Sequence, residues 1–252
     1  MTEGNVYTQI ENGIASVIFF HPQSNSLPGK LLFKLADEIN EAGLSPEVNV
    51  IILKSEGEKA FCAGASFDEL ISINNIEDGK KFFSGFARVI NAMRTVPKFV
   101  LARVQGKAVG GGVGLACAAD YTLATSSASI KLSELAVGIG PFVVGPAVER
   151  KIDKAAFEQL TIDAANWQTA AWAKEKGMFA SVHESVEELD KAIMELAQTL
   201  SQSNPEAMKL LKKIFWEGTE HWDTLLMERA SMSGQLVLSD FTRNAIVKFK
   251  KK

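Results

Sequence analysis

The chain has 252 residues, 46% of them hydrophobic and 23% charged, with a net charge of −3. That length can bury a sizeable core, and the slightly acidic balance holds nothing to attract nucleic acid or an anionic membrane. No apolar run approaches the ~20 residues of a bilayer span, and His21, His183 and His221 lack paired ligand spacing, so no metal site is expected. Cys62 and Cys117 lie among small apolar residues, and Met1 to Val6 lack the basic and apolar segments of a signal peptide. A reduced, cytoplasmic chain is expected.

In chain order, Val6–Ile10 and Ile14–Phe20 flank Asn12-Gly13, a strong signal for a β-hairpin. Leu31, Leu32, Leu35, Ala36 and Ile39 follow helical spacing over Gly29–Ala42. Val48–Leu53 is apolar throughout and predicts a strand buried on both faces, as in a parallel or mixed sheet. A loop rich in small residues follows, Ala60-Phe-Cys-Ala-Gly-Ala-Ser-Phe-Asp-Glu-Leu70, with Ser66 or Asp68 able to start the next helix. Phe82, Phe86, Val89, Ile90 and Met93 share one face of a helix over Glu77–Thr95, which Pro97 stops. Phe99–Val104 reads as a buried strand.

Next comes Gly106-Lys-Ala-Val-Gly-Gly-Gly-Val-Gly114, then Leu115–Ala119 as a short helix and Asp120. A strand, a glycine turn and a helix aim backbone N–H groups at one point, with the positive end of the helix dipole behind them. Such a turn stabilises either a bound phosphate or a developing oxyanion. A dinucleotide fingerprint fits poorly, since Gly112-Val-Gly114-Leu-Ala-Cys117 ends in Cys, and the P-loop pattern is absent.

Tyr121–Ala124 and Ser129–Leu132 are short strand candidates, followed by Glu134 and the Gly138–Phe142 loop. From Pro146 onward the pattern is helical: Ala147–Leu160, Gln168–Lys176, Val186–Ser201, Pro205–Glu217, His221–Leu236 and Phe241–Phe249. A sheet-forming first part followed by a helical last part predicts an α/β core with a helical C-terminal module.

The Ala60–Leu70 loop, the glycine stretch ending in Asp120, and Ser133-Glu134 before Gly138 resemble, in order and spacing, the crotonase superfamily of enoyl-CoA hydratases and isomerases. The resemblance spans most of the chain. It implies a ββα spiral acyl-CoA-binding core over residues 1–191, a C-terminal trimerisation and lid module over 192–252, and a homotrimer or dimer of trimers, with Trp216, Trp222, Leu225 and Leu226 as interface candidates. It implies an acyl-CoA substrate, with CoA as part of that substrate and no other cofactor.

By position, the resemblance makes the backbone N–H groups of Ala65 and Gly111 the donors to the thioester oxygen, and Glu134 the acid/base. Leu132, Leu135, Ala136 and Val137 would desolvate its carboxyl and raise its pKa. Ala63, Ala65, Ser66, Phe67, Asp68 and Leu70, with Gly110, Gly111, Gly114, Pro141 and Phe142, would line the substrate slot. The Phe82, Phe86 and Met93 stripe is core or acyl-tail wall, Cys62 is a buried apolar residue, and Asp120 anchors the short helix. Lys250 to Lys252 form a solvated tail or reach the CoA 3′-phosphate.

One departure matters: members that use two glutamates carry the second where this chain has Gly114. Hydration by Glu134 alone is the favoured expectation, and methylglutaconyl-CoA hydratase-like members share this glycine pattern. A carboxylated substrate of that kind would need a cation, with Arg103, Lys107, Arg150 and Lys151 as candidates. A Δ3,Δ2-enoyl-CoA isomerase, decarboxylase or hydrolase variants, a non-catalytic acyl-CoA-binding protein and a structural interaction protein are the alternatives.

Overall fold

The computed structural model describes residues 4–250. The side chain of Lys250, together with Lys251 and Lys252, lies outside the described residues. The chain opens with strands β1 (Asn5–Glu11) and β2 (Ile14–Phe20), an antiparallel hairpin turned at Asn12-Gly13, both with positive φ. Helix α1 (Gly29–Leu44) follows.

Three repeats then build the core. The first is β3 (Val50–Ser55), β4 (Ala60–Cys62) and the helices α2 (Phe67–Ser72) and α3 (Ile76–Thr95). The second is β5 (Phe99–Val104), β6 (Lys107–Val109) and α4 (Gly111–Ala118), and the third is β7 (Tyr121–Thr125) and β8 (Ser129–Lys131), a 3-10 turn (Leu135–Val137) and α5 (Gly145–Ile152). In each repeat the first strand joins one sheet and the second joins another, which is a ββα spiral. The remaining elements are α6 (Lys154–Ile162), β9 (Gln168–Thr169), α7 (Ala170–Glu175), β10 (Ser181–His183), α8 (Val186–Ser201), α9 (Pro205–Phe215), α10 (Trp222–Leu236) and α11 (Asp240–Lys250).

The large sheet runs β1-β2-β3-β5-β7-β10, parallel from β2 onward, and the small one runs β4-β6-β8-β9. Alternation splits the large sheet's apolar residues between two layers. Ile14, Val50, Ile52, Leu101 and Leu123 pack under Leu189, Ile193 and Ala197 of α8. Val17, Ile51, Leu53, Val100 and Ala102 belong to the main core, with Leu32, Leu35 and Ile90 of α1 and α3. Residue 192 falls inside α8, whose apolar face covers the large sheet, and α10 packs along α3.

Four local expectations are corrected. The helix expected over Ala147–Leu160 is two, because Asp153 takes a positive φ of 67° and caps α6 by accepting from Ala156 N–H. Strand β10 lies between the helices expected over Gln168–Lys176 and Val186–Ser201, where no element was expected; three half-buried residues carry too little pattern to announce a strand. Helix α4 begins at Gly111 rather than at Leu115. Trp216, Trp222 and Leu226 are already buried within the single chain, and Leu225 is partly buried against the same core, so none of them offers an open apolar face.

Asp120 does more than end a helix. It accepts hydrogen bonds from Val100 N–H at 2.7 Å, Lys212 Nζ at 2.5 Å and Trp216 Nε1 at 2.8 Å, which ties β5 to α9.

Candidate active site

Strands β4, β6 and β8 are parallel neighbours, so their C-terminal ends emerge side by side. Ala63-Gly64-Ala65 follows β4, Gly110-Gly111 follows β6, and Ser133-Glu134 follows β8. Ligands of open parallel sheets gather at such strand ends. The topology therefore brings three segments remote in sequence to one place.

The loop after β4 is pinned to Ser24–Leu27. Ala63 N–H donates to Ser24 O, Leu27 N–H to Gly64 O and Ser66 N–H to Leu27 O. In this parallel bridge Leu27 bonds to the residues on either side of Ala65. The Ala65 N–H thus points away from the pairing, toward the open side.

Gly110 has a φ of 54°, which favours glycine, and donates its N–H to Lys131 O at 2.8 Å. Gly111 opens α4, so its N–H has no acceptor within the helix. The two loops touch: a Cβ on Gly64, whose φ is 85°, would lie 2.7 Å from Val109 O and 3.4 Å from Gly111 N. Only glycine permits that approach.

Glu134 accepts from Val137 and Ile139 N–H through its carbonyl, which fixes the start of the 3-10 turn. Its side chain reaches over Gly110, where a Cβ would lie 3.0 Å from Oε1. Oε2 is buried and has no hydrogen-bond partner. Loss of water around the carboxyl raises its pKa from 4.5 to about 7, against a smaller lowering from its own backbone amide. Leu135, expected to desolvate it, is 50% exposed. The walls of the cavity, including Gly110, Val137 and Val144, replace water instead.

That cavity encloses about 600 Å³ counting its open mouth. Of the expected slot residues, Ala63, Ala65, Phe67, Leu70, Gly110, Gly111, Glu134, Pro141 and Phe142 line it. Ser66, Asp68 and Gly114 do not. Ser66 caps α2 through Glu69 N–H, and Asp68 accepts from Gln23 Nε2 at 2.7 Å on the surface. Gly114 lies beneath Val144, whose Cγ1 would be 2.4 Å from a Cβ there.

Phe86 reaches the cavity, whereas Phe82 and Met93 are buried core. Sequence reasoning missed Phe83, Val144 and Ser233, which arrive from three other helices or their caps and share no local motif with Glu134.

The candidate cations are all elsewhere. Arg103 pairs with Asp190, Lys107 lies 5.2 Å from the centre of the Trp167 ring, and Arg150 stacks on Trp216 at 3.9 Å. Lys151 donates to Ala119 O and Asp120 O. Among the described residues no Lys, Arg or His lines the cavity, and Glu134 is its only acid. Cys62 is fully buried, its thiol pushed up to about 12 by that burial, and its Sγ accepts from Gly64 N–H.

A spiral of ββα units with one buried carboxyl at its strand ends is the architecture of the crotonase type. Residues 9–250 match the family model described as enoyl-CoA hydratase/isomerase, and the chain belongs to that family of enzymes. It is 30% identical to the short-chain-enoyl-CoA hydratase of Clostridium acetobutylicum, over 99% of this chain and 95% of that protein. Identity to the mitochondrial methylglutaconyl-CoA hydratase of Rattus norvegicus is 33%, over 78% of this chain and 63% of that protein. The solved structure of an enoyl-CoA hydratase from Bacillus halodurans has the same fold, with a TM-score of 0.88 at 20% identity, covering 96% and 99% of the two chains.

Proposed function

We propose that the protein adds water across the double bond of a 2-enoyl-CoA, with Glu134 as the only acid/base. The observation that carries this is the unpartnered Oε2 of Glu134, in a cavity it shares with the free backbone amides beside Gly64 and Gly110. The carboxylate takes a proton from water as the oxygen attacks carbon 3. Negative charge moves onto the thioester oxygen, where the N–H groups of Ala65 and Gly111 receive it. The carboxylic acid then returns its proton to carbon 2. A group with a pKa near 7 serves both halves at neutral pH, and fixed donors to an oxyanion contribute ~3–4 kcal/mol each.

The cavity favours an uncharged acyl group. Among the described residues no cation lines it to meet a substrate carboxylate, which supports the uncharged reading over the carboxylated one. CoA enters as part of the substrate. A homotrimer, paired or not into a hexamer, is the assembly in this reading, and the exposed Leu210, Leu211, Ile214 and Phe215 of α9 supply an apolar face for it. A cytoplasmic protein is part of the same reading.

Δ3,Δ2-isomerisation is the second reading. Val144 fills the space beside Gly114, so no second carboxylate holds a water there, and moving a proton from carbon 2 to carbon 4 needs one base only.

Mass spectrometry of straight 2-enoyl- and 3-enoyl-CoA after incubation in deuterated water separates the two. Gain of one water by the 2-enoyl ester supports hydration. A shifted double bond with deuterium uptake and no added water replaces it with isomerisation. Unchanged esters with both wild type and Glu134→Gln would leave a binding protein.

A further inference from the structure

The cavity holds three polar side chains, Ser133, Glu134 and Ser233. Ser133 is half-buried and reachable by water. Ser233 is 1% exposed and lines the cavity from α10, and among the described residues its hydroxyl has no hydrogen-bond partner. A helical serine normally satisfies its hydroxyl on a carbonyl four residues back, as Ser231 does on Met227 O. A hydroxyl that has no protein partner and opens on a ligand cavity is free to bond a ligand atom there.

Helix α3 serves as a ruler for where that atom lies. A Cβ on Gly79 would meet Gly234 Cα at 2.8 Å, so Ser233 sits beside the first turn of α3. A Cβ on Gly111 would meet Phe86 Cε1 at 2.1 Å, so Gly111 sits beside Phe86. From Gly79 to Phe86 the helix rises about 10 Å at ~1.5 Å per residue. Ser233 therefore lies on the side of the cavity toward the first turn of α3, away from Gly111. An extended chain advances about 1.2 Å per bond, so an oxygen within reach of Ser233 is about six bonds beyond the thioester carbon. Between the two ends the walls are Phe83, Phe86, Val144 and Phe142.

Building on the proposed acyl-CoA site, we propose that Ser233 is a specificity residue that hydrogen-bonds an uncharged oxygen, a hydroxyl or a carbonyl, at the far end of a medium-length acyl chain. The apolar walls hold the methylenes. Among the described residues no cation lines the cavity to favour a carboxylate there, while the serine rewards a neutral polar terminus.

The test compares hexanoyl-CoA with 6-hydroxyhexanoyl-CoA by titration calorimetry on the full-length protein, wild type and Ser233→Ala. Both esters are saturated, so binding is read without turnover. Wild type is expected to bind the hydroxylated ester roughly 3- to 10-fold tighter, as one added neutral hydrogen bond gives, and Ser233→Ala to bind the two alike. Equal binding of both esters by wild type would overturn the inference, even if the variant did not fold. So would a preference that survives in Ser233→Ala, or failure of wild type to bind either ester. Hydration of the corresponding 2-enoyl esters is measured separately. Retained binding preference without hydration would sink the hydratase reading and leave the role of Ser233 standing.

Discussion

Val144 sits against Gly114 so closely that a Cβ at position 114 would fall 2.4 Å from its Cγ1. The two residues act as a complementary pair: the missing side chain of one is the room for the other. Overpacking of this kind costs ~1–3 kcal/mol. Gly114→Ala is therefore expected to lose about that much stability, and Gly114→Ala/Val144→Ala to regain most of it. A double-mutant cycle by denaturant unfolding reads the coupling, and strict additivity would show that the contact carries no energy.

The acid/base reading of Glu134 has a definite pH signature. As the base it must be ionised, so kcat/KM is expected to rise with pH and level off above about 7. Glu134→Gln should lower the rate by ~10²–10⁴-fold with the fold intact. A pH–rate profile with its acid limb near 4.5 would contradict the desolvated carboxyl.

The same shift makes a separate prediction about stability. Burial raises the pKa in the folded state above that of the unfolded chain, so the folded protein binds the proton more tightly. The resulting stabilisation is complete below about pH 4.5 and is lost as the pH rises through 7. Replacing the carboxyl by an amide removes the cost of burying a charge. Glu134→Gln should be more stable than wild type at pH 8.5, by up to ~3 kcal/mol, and no more stable at pH 4. Thermal melts at the two pH values check this, and a constant difference between the proteins would refute it.

Gly111 is wedged against Phe86, and a methyl group there would meet its ring at 2.1 Å. Gly111→Ala is expected to move the amide away from the cavity and lower kcat by ~10²-fold or more, with substrate binding less affected. Stopped-flow kinetics of the variant and of Gly111→Ala/Phe86→Leu tells loss of geometry from loss of fold. Recovery of part of the rate in the double variant is the expected result.

Asp120 and Lys212 form an ion pair with side chains 6% and 3% exposed. Removing one partner of a buried pair costs ~3–5 kcal/mol because the other charge stays behind. Asp120→Ala should therefore destabilise the protein by that order and free α9 from β5. Hydrogen exchange along residues 205–215 would report the release, and unchanged protection there would assign the anchoring to other contacts.

The sequence disclosed the large elements and only some of the small ones, β7 and β8 standing where short strands were expected. The Asn12-Gly13 hairpin, α1, α3 and the strands β3 and β5 carry strong periodicity or turn chemistry, and each lies within a few residues of its expected place. The strands that build the site are three residues long. At that length alternation has no statistical weight, so β4 read as a loop and β6 as part of the glycine turn.

Glu134 had no local signal of its own and was legible only through the family resemblance. Phe83, Val144 and Ser233 reach the cavity from other parts of the chain, and only folding reveals them as neighbours. The ring of candidate cations failed for a simpler reason. Arg103 and Arg150 are occupied by partners that lie 87 and 65 residues away along the chain.

Three turns of the spiral each send one strand end to the cavity, and they do not contribute alike. The first two deliver main-chain atoms at Ala65 and Gly111; the third delivers a titratable side chain at Glu134. Main-chain groups are inherited with the backbone and survive most single-residue changes, provided the glycines that let the loops meet are kept. The third turn is where one codon can rewrite the reaction. A lineage built on this spiral can thus keep its grip on one kind of substrate handle while exchanging the chemistry performed next to it.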